Sequence, residues 1–191
     1  MTAPEDDEDK HLMIALAGGN DPALNVLMRR WQVRLTGYLE RLCGSHATAS
    51  DLAQETFVRV HKHRHRFRPA QKFSTWLFAI ATNLARNHAR WQKRHPVTLM
   101  EPEQVSGLPL ESDLPCPGGS LERQERAAAV RDAILKLPPE QKEALILSTY
   151  EGMSHAEIAE IMDTTEKVVE MRLYRARKHL KELLHPWLKN A

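Results

Sequence analysis

Positive charge and aromatic side chains are concentrated in residues 58–95 of this chain. The stretch has ten Lys or Arg residues and no Asp or Glu, although the net charge of the 191-residue chain is only +2. Cations at this density repel one another unless an anion such as nucleic-acid phosphate lies against them. Aromatic faces can stack on unpaired bases, and the stretch contains Phe67, Phe73, Trp76, Phe78 and Trp91. We therefore predict a surface for single-stranded or opened nucleic acid, with a solvated basic face above core aromatics as the alternative.

Polar residues recur at helical spacing within this stretch. Steps of three and four place five of them on one side of a helix predicted from Ser74 to Lys93: Asn83, Arg86, Asn87, Arg90 and Arg94. Asn and Arg form paired hydrogen bonds with bases, and Arg also binds phosphate. Ordinary exposed helix faces mix both signs of charge, whereas this one has no acid. We predict that this Asn/Arg ridge binds nucleic acid.

The C-terminal part has the pattern of a second nucleic-acid reader. Ser154 and Glu157 have the spacing of a capping box, which starts a short helix. After a break at Asp163-Thr164, Thr165 can cap a longer helix with inward residues at steps of four and three: Val169, Leu173, Ala176, Leu180 and Leu183. This layout predicts a helix-turn-helix, whose second helix enters the major groove of duplex DNA. A purely structural helical hairpin is the alternative.

Helices must position these residues, because helical periodicity recurs along the chain without convincing strand alternation. Residues 22–42 carry one apolar stripe: Leu24, Leu27, Met28, Trp31, Leu35, Tyr38, Leu39 and Leu42. A helix from about Ala47 to His65 should bury Leu52, Ala53, Phe57 and Val60. The helix of residues 74–93 should bury Trp76, Leu77, Ile80, Ala81, Leu84 and Trp91. With further helices at 121–137 and from Pro139 to about Tyr150, the predicted fold class is all-α.

Composition divides the chain into two small helical domains, at residues 11–95 and 121–191. Residues 96–120 contain five prolines, three glycines and four acids without Lys or Arg, which predicts a flexible linker. Residues 1–10 include five consecutive acids, whose mutual repulsion predicts a disordered N-terminus. A tether between two DNA-reading domains would add avidity.

Several classes of function are not indicated. Cys43 and Cys116 form no CxxC pair, and cations between His61, His63 and His65 would repel a divalent metal ion. No catalytic or cofactor motif is recognised, so we predict neither an enzyme nor a cofactor. No apolar run approaches the roughly 18 residues of a membrane span, and the acidic N-terminus has no signal core. We therefore expect a cytoplasmic protein that does not insert into membranes.

Two sets of motifs resemble a known family. Residues 51–58 (DLAQETFV) and 73–83 (FSTWLFAIATN) resemble the second conserved region of bacterial RNA polymerase sigma factors of the extracytoplasmic-function (ECF) group. Residues 137–139 (LPP), 152–159 (GMSHAEIA) and 172–177 (RLYRAR) resemble the fourth region. The resemblance spans residues 20 to 184, with both motif sets in the family's order.

The resemblance implies a function in transcription initiation. Such proteins bind core RNA polymerase, at its beta and beta-prime subunits, and direct it to promoter DNA with two elements named −35 and −10. Carried over by position, the segment that binds polymerase contains Asp51, Leu52, Gln54, Glu55, Phe57, Val58 and Arg59. Acids in an otherwise cationic domain suit a protein partner, because DNA would repel them.

The resemblance also implies two DNA sites. In the family, the loop at residues 67–72 receives a flipped base of the −10 strand, whose unstacking costs a few kcal/mol that a shaped pocket must offset. The implied −10 residues are Phe67, Arg68, Lys72, Phe73, Ser74, Thr75, Trp76, Asn83, Arg86, Asn87 and Arg90. The implied −35 residues are Ser154, Thr165, Lys167, Val168, Glu170, Met171, Arg172 and Arg175.

Three residues depart from the family pattern. Where this chain has Asp163, Glu170 and Met171, many relatives have Gly, Lys and a small or hydroxyl residue respectively. Glu170 would repel phosphate but could accept a hydrogen bond from a cytosine amino group, so the −35 sequence that it reads is left open.

Family analogy further implies an anti-sigma factor that clamps the two domains together and hides both DNA faces. The alternative is a two-domain helix-turn-helix regulator that acts without polymerase. Such a regulator would have no role for the segment from Asp51 to Glu55 and its two acids.

Overall fold

The computed structural model describes residues 4–95 and 121–188, and all regular structure within these ranges is helical. The N-terminal domain contains α1 (Pro4–Ala17), α2 (Pro22–Cys43), α3 (His46–Lys62), a 3-10 helix (Arg64–Arg66) and α4 (Phe73–Arg94). The C-terminal domain contains α5 (Leu121–Leu135), α6 (Pro139–Thr149), α7 (His155–Ile161) and α8 (Glu166–Leu188). The predicted all-α class is confirmed, while the predicted linker at 96–120 lies outside the described residues. None of these helices is both long and apolar enough to cross a membrane.

The apolar stripe of α2 forms the centre of the N-terminal core. Leu27, Leu35, Tyr38 and Leu39 are fully buried there, and Trp31 is nearly so. α3 and α4 pack against this stripe through buried residues of both helices: Leu52, Ala53, Phe57, Val60, Leu77, Ala81 and Leu84. Because burying a large apolar side chain contributes about 1.5–3 kcal/mol, these three helices form a stable platform.

Local signals set the ends of these helices. α2 begins at Pro22, which suits a first turn because it has no N–H to leave unpaired. It ends before Gly44, whose φ of 75° lies in the left-handed region that favours glycine. The Ser45 hydroxyl accepts a hydrogen bond from the Thr48 N–H at 3.3 Å and caps α3. α3 ends at Lys62, before the predicted His65, because the chain turns into the 3-10 helix.

Residues 4–10 belong to α1, whereas the sequence predicted a disordered segment at residues 1–10; residues 1–3 lie outside the described residues. Asp9 is completely buried. Its carboxylate accepts hydrogen bonds from Arg30 Nη1 at 2.6 Å and from Trp31 Nε1 at 2.8 Å. Glu8 accepts another from Arg30 Nη2 at 2.7 Å. α2 thus supplies a cation and a neutral donor that offset the repulsion among the acids.

The C-terminal domain contains the predicted helix-turn-helix. The capping box is present, since the Ser154 N–H donates to Glu157 Oε2 at 2.8 Å and the Glu157 N–H donates to Ser154 Oγ at 3.3 Å. Asp163 in the turn has a φ of 51°, in the left-handed region that glycine adopts freely and Asp tolerates. Leu183, predicted to face inward, is 41% exposed.

The two domains share one continuous hydrophobic core. α2 contacts α5 and α6, and α4 contacts α7. Leu135 lies so close to Gly44 that a Cβ at residue 44 would be 3.1 Å from its Cδ1 atom. The guanidinium of Arg41 lies 4.3 Å from the centre of the Tyr150 ring, within the range of a cation–π interaction. We call this arrangement closed because the two domains contact each other. In it α7, the first helix of the helix-turn-helix, lies beside α4.

Replacing Asp9 tests how α1 is held. We expect Asp9→Asn to lower the free energy of unfolding by about 1–3 kcal/mol, because Arg30 loses a buried charged acceptor. Urea denaturation measures the change. The control Asp7→Asn removes an exposed acid that pairs with Lys10 at 3.4 Å, and it should change stability by less than about 0.5 kcal/mol. Equal effects of the two variants would contradict the assignment.

Candidate nucleic-acid interface

The acidic segment of α3 divides into exposed and buried residues. Asp51, Gln54 and Glu55 are exposed, and Arg59 Nε donates to Glu55 Oε1 at 2.9 Å. Val58 is 58% exposed and adds apolar surface beside these charges. By contrast, Leu52 and Phe57 are buried in the core. These two residues hold α3 in place, and the exposed group is the part available to a partner.

Most aromatic rings of the basic stretch lie in the core. Phe73 and Phe78 are fully buried, with ring centroids 6.0 and 6.1 Å from that of Trp31 in edge-to-face geometry. Phe67 is also buried, so neither Phe67 nor Phe73 offers the base-stacking face expected of it. Thr75, another expected −10 residue, is 1% exposed. Most of these aromatic rings therefore shape the domain instead of binding bases.

Parts of the expected −10 surface remain accessible near the start of α4. Trp76 is half-buried, and its ring centroid is 5.4 Å from that of Phe67. Ser74 is also half-buried, whereas Arg68 in the preceding loop is exposed. Part of Trp76 and the Arg68 side chain are therefore accessible from outside the domain.

The Asn/Arg ridge occupies the outward side of α4, as predicted. Asn83, Asn87 and Arg90 are exposed, and Arg90 Nη2 donates to Asn87 Oδ1 at 2.7 Å. Arg86 instead turns toward α6, where its guanidinium binds both carboxylate oxygens of Glu143 at 2.5 to 3.1 Å. Glu143 is only 5% exposed, and its hydrogen bonds raise the pKa of Arg86 further than burial lowers it.

The loop before α4 contacts the C-terminal domain. Lys72 Nζ lies 2.8 Å from Glu157 Oε1, and Gln71 Nε2 donates to a carboxylate oxygen of Glu160. Burial alone would raise the pKa of Glu157, but hydrogen bonds from Lys72 and Ser154 outweigh it and hold this pKa below its usual value. Both acids belong to α7, which thus covers the loop on this side.

A third charged contact joins the domains at Arg34. Its Nε atom donates to Glu151 Oε2 at 2.7 Å, and its Nη2 atom donates to the Glu151 carbonyl oxygen at 2.6 Å. Burial raises the pKa of the Glu151 carboxyl, although Arg34 opposes this shift. The Arg34 guanidinium also lies 5.2 Å from the centre of the Trp31 ring. Arg34 therefore links the aromatic core of one domain to the other domain.

The expected −35 residues lie mainly on the exposed side of α8. Ser154, Thr165, Lys167, Glu170, Met171 and Arg175 are exposed, and Val168 is half-buried. Arg172 is also half-buried, because its Nη2 atom donates to Glu140 of α6 at 2.7 Å. The closed arrangement therefore leaves most of this surface open, in contrast to the −10 surface.

Trp91 is exposed, which corrects the prediction that it lies on the buried side of α4. The residue is 49% exposed, and its ring stacks on His88 and His95, with centroid distances of 6.5 and 5.0 Å. An open groove of about 510 Å³ beside it is lined by Leu52, Leu84, Asn87, His88, Arg90, Trp91 and Arg94. The sequence contains a signal for the exposure of Trp91. His88, Gln92 and His95 are polar, so the apolar stripe of α4 does not continue around Trp91.

The histidines of the basic stretch do not form a ligand cluster in the structure. His61 Nε2 lies 3.1 Å from Oδ1 of Asp21, the residue directly before α2. Across residues 4–95 and 121–188, no group of three metal-ligating side chains comes together.

Two family matches cover the two domains. Residues 27–95 match the family described as Sigma-70 region 2, and residues 127–180 match Sigma-70, region 4. The first range contains most of α2 together with α3 and α4, and the second contains α6, α7 and most of α8.

Two relatives align with almost the whole chain. The chain is 31% identical to RNA polymerase sigma-H factor of Pseudomonas aeruginosa over 189 residues, covering 97% of this chain and 98% of that protein. It is 31% identical to ECF RNA polymerase sigma-E factor of Haemophilus influenzae over 182 residues, covering 93% and 96% of the two chains.

Solved structures of similar fold include CnrH in complex with the cytosolic domain of CnrY, with a TM-score of 0.71, 26% identity, and 94% and 98% of the two chains covered. Another is the sigma factor RpoE of Bartonella quintana in complex with the anti-sigma factor NepR, with a TM-score of 0.65, 26% identity, and 84% and 96% covered. On the two matched regions, their order along the chain and the full-length relatives, this chain belongs to the ECF group of RNA polymerase sigma factors.

Proposed function

We propose that this sigma factor binds core RNA polymerase through α3, holds the opened −10 element on α4 and reads −35 duplex DNA with α8. One observation carries the proposal: exposed acids lie on α3, whereas α4 contains no acid and presents an Asn/Arg ridge. The protein acts by binding, without a catalytic step of its own, in the cytoplasm with polymerase. Cationic groups of polymerase and the anionic DNA would thus bind two separate surfaces of the N-terminal domain.

The exposed side of α3 suits a protein partner. Asp51 and Glu55 would repel DNA, but they can pair with cations of the beta or beta-prime subunit. Val58 lies one turn from Glu55 and offers apolar area that polymerase can bury. Because Leu52 and Phe57 anchor the helix in the core, α3 presents this surface in a fixed orientation.

The outward side of α4 suits single-stranded DNA. Asn83, Asn87 and Arg90 can donate to bases and phosphates from one stripe of the helix. The accessible part of Trp76 offers a surface on which a base can stack, a contribution of about 1–3 kcal/mol per base. Trp91 is exposed beside the ridge, and a base that stacks on its ring would have to displace His88 or His95. These contacts offset the unpairing of the −10 element.

The exposed surface of α8 suits duplex DNA. Lys167 and Arg175 can bind phosphates and set the register, while Glu170 and Met171 face outward near the start of the helix, where base edges are read. We assign Glu170 to base recognition, since a Glu that met only phosphate would weaken binding.

We also propose regulation by an anti-sigma factor. The solved structures of similar fold include a sigma factor in complex with the anti-sigma factor NepR. The closed arrangement of the present chain gives such a partner two adjacent domains to bind at once.

Replacing acids on α3 tests polymerase binding. We expect Asp51→Arg and Glu55→Arg each to weaken binding to core polymerase by about tenfold or more, because each places a cation where the partner should present one. Fluorescence anisotropy of the labelled protein, titrated with core polymerase, measures the affinity. Glu125→Arg makes the same charge change on exposed α5 and should leave it within about twofold. Unchanged affinity in both α3 variants would exclude this surface.

Replacing ridge residues tests −10 binding. We expect Asn83→Ala and Asn87→Ala to reduce promoter opening by the holoenzyme about tenfold, because bases lose their hydrogen-bond partners. Permanganate reactivity of unpaired thymines measures opening, and affinity for core polymerase should stay unchanged. The control is Asn25→Ala, an exposed Asn on α2. Normal opening by both ridge variants would contradict the role of α4.

Replacing Glu170 tests base recognition. We expect Glu170→Ala to lose about tenfold preference at one base pair of the −35 element, because a specific hydrogen bond disappears. Selection from a duplex library that is randomised at the −35 position measures this preference. A uniform gain of affinity across all sequences would instead show that Glu170 only repels phosphate.

A further inference from the structure

We infer that exposed side chains around the 3-10 helix bind the phosphates of the opened promoter strand just downstream of the −10 element. We call Lys62, His65 and Arg66 the 3-10 patch, and all three are exposed. They directly precede the loop of residues 67–72 along the chain. None of them belongs to the expected polymerase, −10 or −35 sites. The inference rests on the proposed function, because it extends the path of the strand beyond α4.

The cations of the 3-10 patch have no partner within the protein. Among residues 4–95 and 121–188, no side chain forms a hydrogen bond or an ion pair with the Lys62 ammonium or the Arg66 guanidinium. By contrast, the neighbouring Lys72 has its Nζ atom 2.8 Å from Glu157 Oε1. Exposed cations that are close in sequence and unpaired repel one another, so an anion from outside the protein would relieve this repulsion.

Arg64 sets the local shape and adds to the charge. Its Nη1 atom donates to the carbonyl oxygen of His61 at 3.0 Å, where α3 turns into the 3-10 helix. The Arg66 N–H donates to the carbonyl oxygen of His63 at 2.8 Å. The Nε atom of Arg64 is buried and has no hydrogen-bond partner among the described residues. This half-buried guanidinium therefore contributes positive potential beneath the 3-10 patch.

The 3-10 patch lies beside the first turn of α4. Phe67 directly follows the 3-10 helix, and its buried ring has its centroid 5.4 Å from that of Trp76. Arg66 and Arg68, on either side of Phe67 in the chain, are both exposed. Asn83 lies about 15 Å along α4 from the start of the helix. A strand that runs from Asn83 toward the start of α4 therefore passes Trp76 and Arg68 before it reaches Arg66.

The order of the chain gives the direction of the strand. Residues 96–120 connect the C-terminal end of α4 to the domain that should read −35, the upstream element. The upstream edge of the −10 element is therefore placed toward the end of α4, and its downstream edge at the loop of residues 67–72. The phosphates that follow, toward the transcription start, then lie over the 3-10 patch.

The composition of the segment favours phosphates over a protein partner. Residues 62–66 are Lys-His-Arg-His-Arg and include no apolar side chain, whereas the centre of a protein interface usually contains aromatic or apolar anchors. Val58, the exposed apolar residue of the proposed polymerase surface, lies one helical turn before Lys62. His65 adds an imidazole N–H that can donate to a phosphate oxygen. Contacts of this kind depend on charge and not on base identity.

Removing charge tests the 3-10 patch in the holoenzyme. Lys62→Gln with Arg66→Gln removes both cations, and Arg29→Gln with Lys136→Gln makes the same change at exposed positions elsewhere as a matched control. Two forked DNAs are made from a promoter that the wild-type holoenzyme selects from a randomised library. The single strand of the short fork ends with the −10 element, and that of the extended fork continues for about six random nucleotides downstream. Fluorescence anisotropy measures both affinities over a series of salt concentrations.

We expect the Lys62/Arg66 variant to bind the extended fork about tenfold more weakly than the wild type, and the short fork within about twofold. On the extended fork, the slope of log affinity against log salt should become shallower by about 0.7 for each lost phosphate contact. The control should match the wild type on both forks. The midpoint of thermal unfolding should not fall, because the removed cations pair with nothing inside the described fold.

An equal loss on both forks would overturn the inference, because the contact would then not involve the downstream strand. Unchanged affinity for the extended fork would overturn it as well. Weaker binding of the Lys62/Arg66 variant to core polymerase without DNA would assign the 3-10 patch to polymerase and also overturn the inference.

Two outcomes separate this inference from the proposed function. If Asn83→Ala and Asn87→Ala leave binding to both forks normal while the Lys62/Arg66 variant loses only the extended fork, the role of α4 fails and the 3-10 patch stands. If the wild-type holoenzyme selects no promoter, the proposed function fails. Binding of the free full-length chain to a labelled pool of random single strands then decides, and equal affinity of the Lys62/Arg66 variant and the control would overturn the inference.

Discussion

The packing of α4 against α2 is the contact on which the rest of the structure depends. Trp31 and Tyr38 of α2 meet Phe73 and Phe78 of α4 edge to face, and the Tyr38 hydroxyl lies 2.7 Å from Thr82 Oγ1. Because these contacts fix the rotation of α4 about its axis, they also determine which side chains α4 exposes on its opposite side. Its outward side has no acid along the whole helix, and Arg86 on it pairs with Glu143 of the C-terminal domain.

The net charge of the chain is close to zero and does not reveal that its charges are separated in space. Acids and cations are almost equal in number, but they are separated between surfaces. Asp9 neutralises Arg30 within the N-terminal domain, while Glu143, Glu151 and Glu157 neutralise cations across the domain boundary. The first contact is part of the fold of the N-terminal domain. The others join the two domains.

The sequence predicted the helices and the ridge because periodicity and capping are local properties. The α2 stripe, the Ser154–Glu157 capping box and the outward position of Asn83 and Asn87 all follow from spacing within one helix. Three features could not be predicted in this way. Asp9 is buried because Arg30 and Trp31 lie opposite it, and Phe67 is buried because the loop that follows it folds back so that its ring meets Phe73 and Trp76. The partner of Arg86 is Glu143, 57 residues away, and no local pattern encodes a contact between domains.

Gly44 meets two separate structural requirements. Its φ of 75° ends α2, and a Cβ at this position would lie 3.1 Å from Leu135 Cδ1 of α5. A residue such as Asn tolerates the left-handed backbone, but its side chain would still have to displace Leu135. The tolerance of this position to substitution is therefore set by the contact between the two domains as well as by the end of the helix.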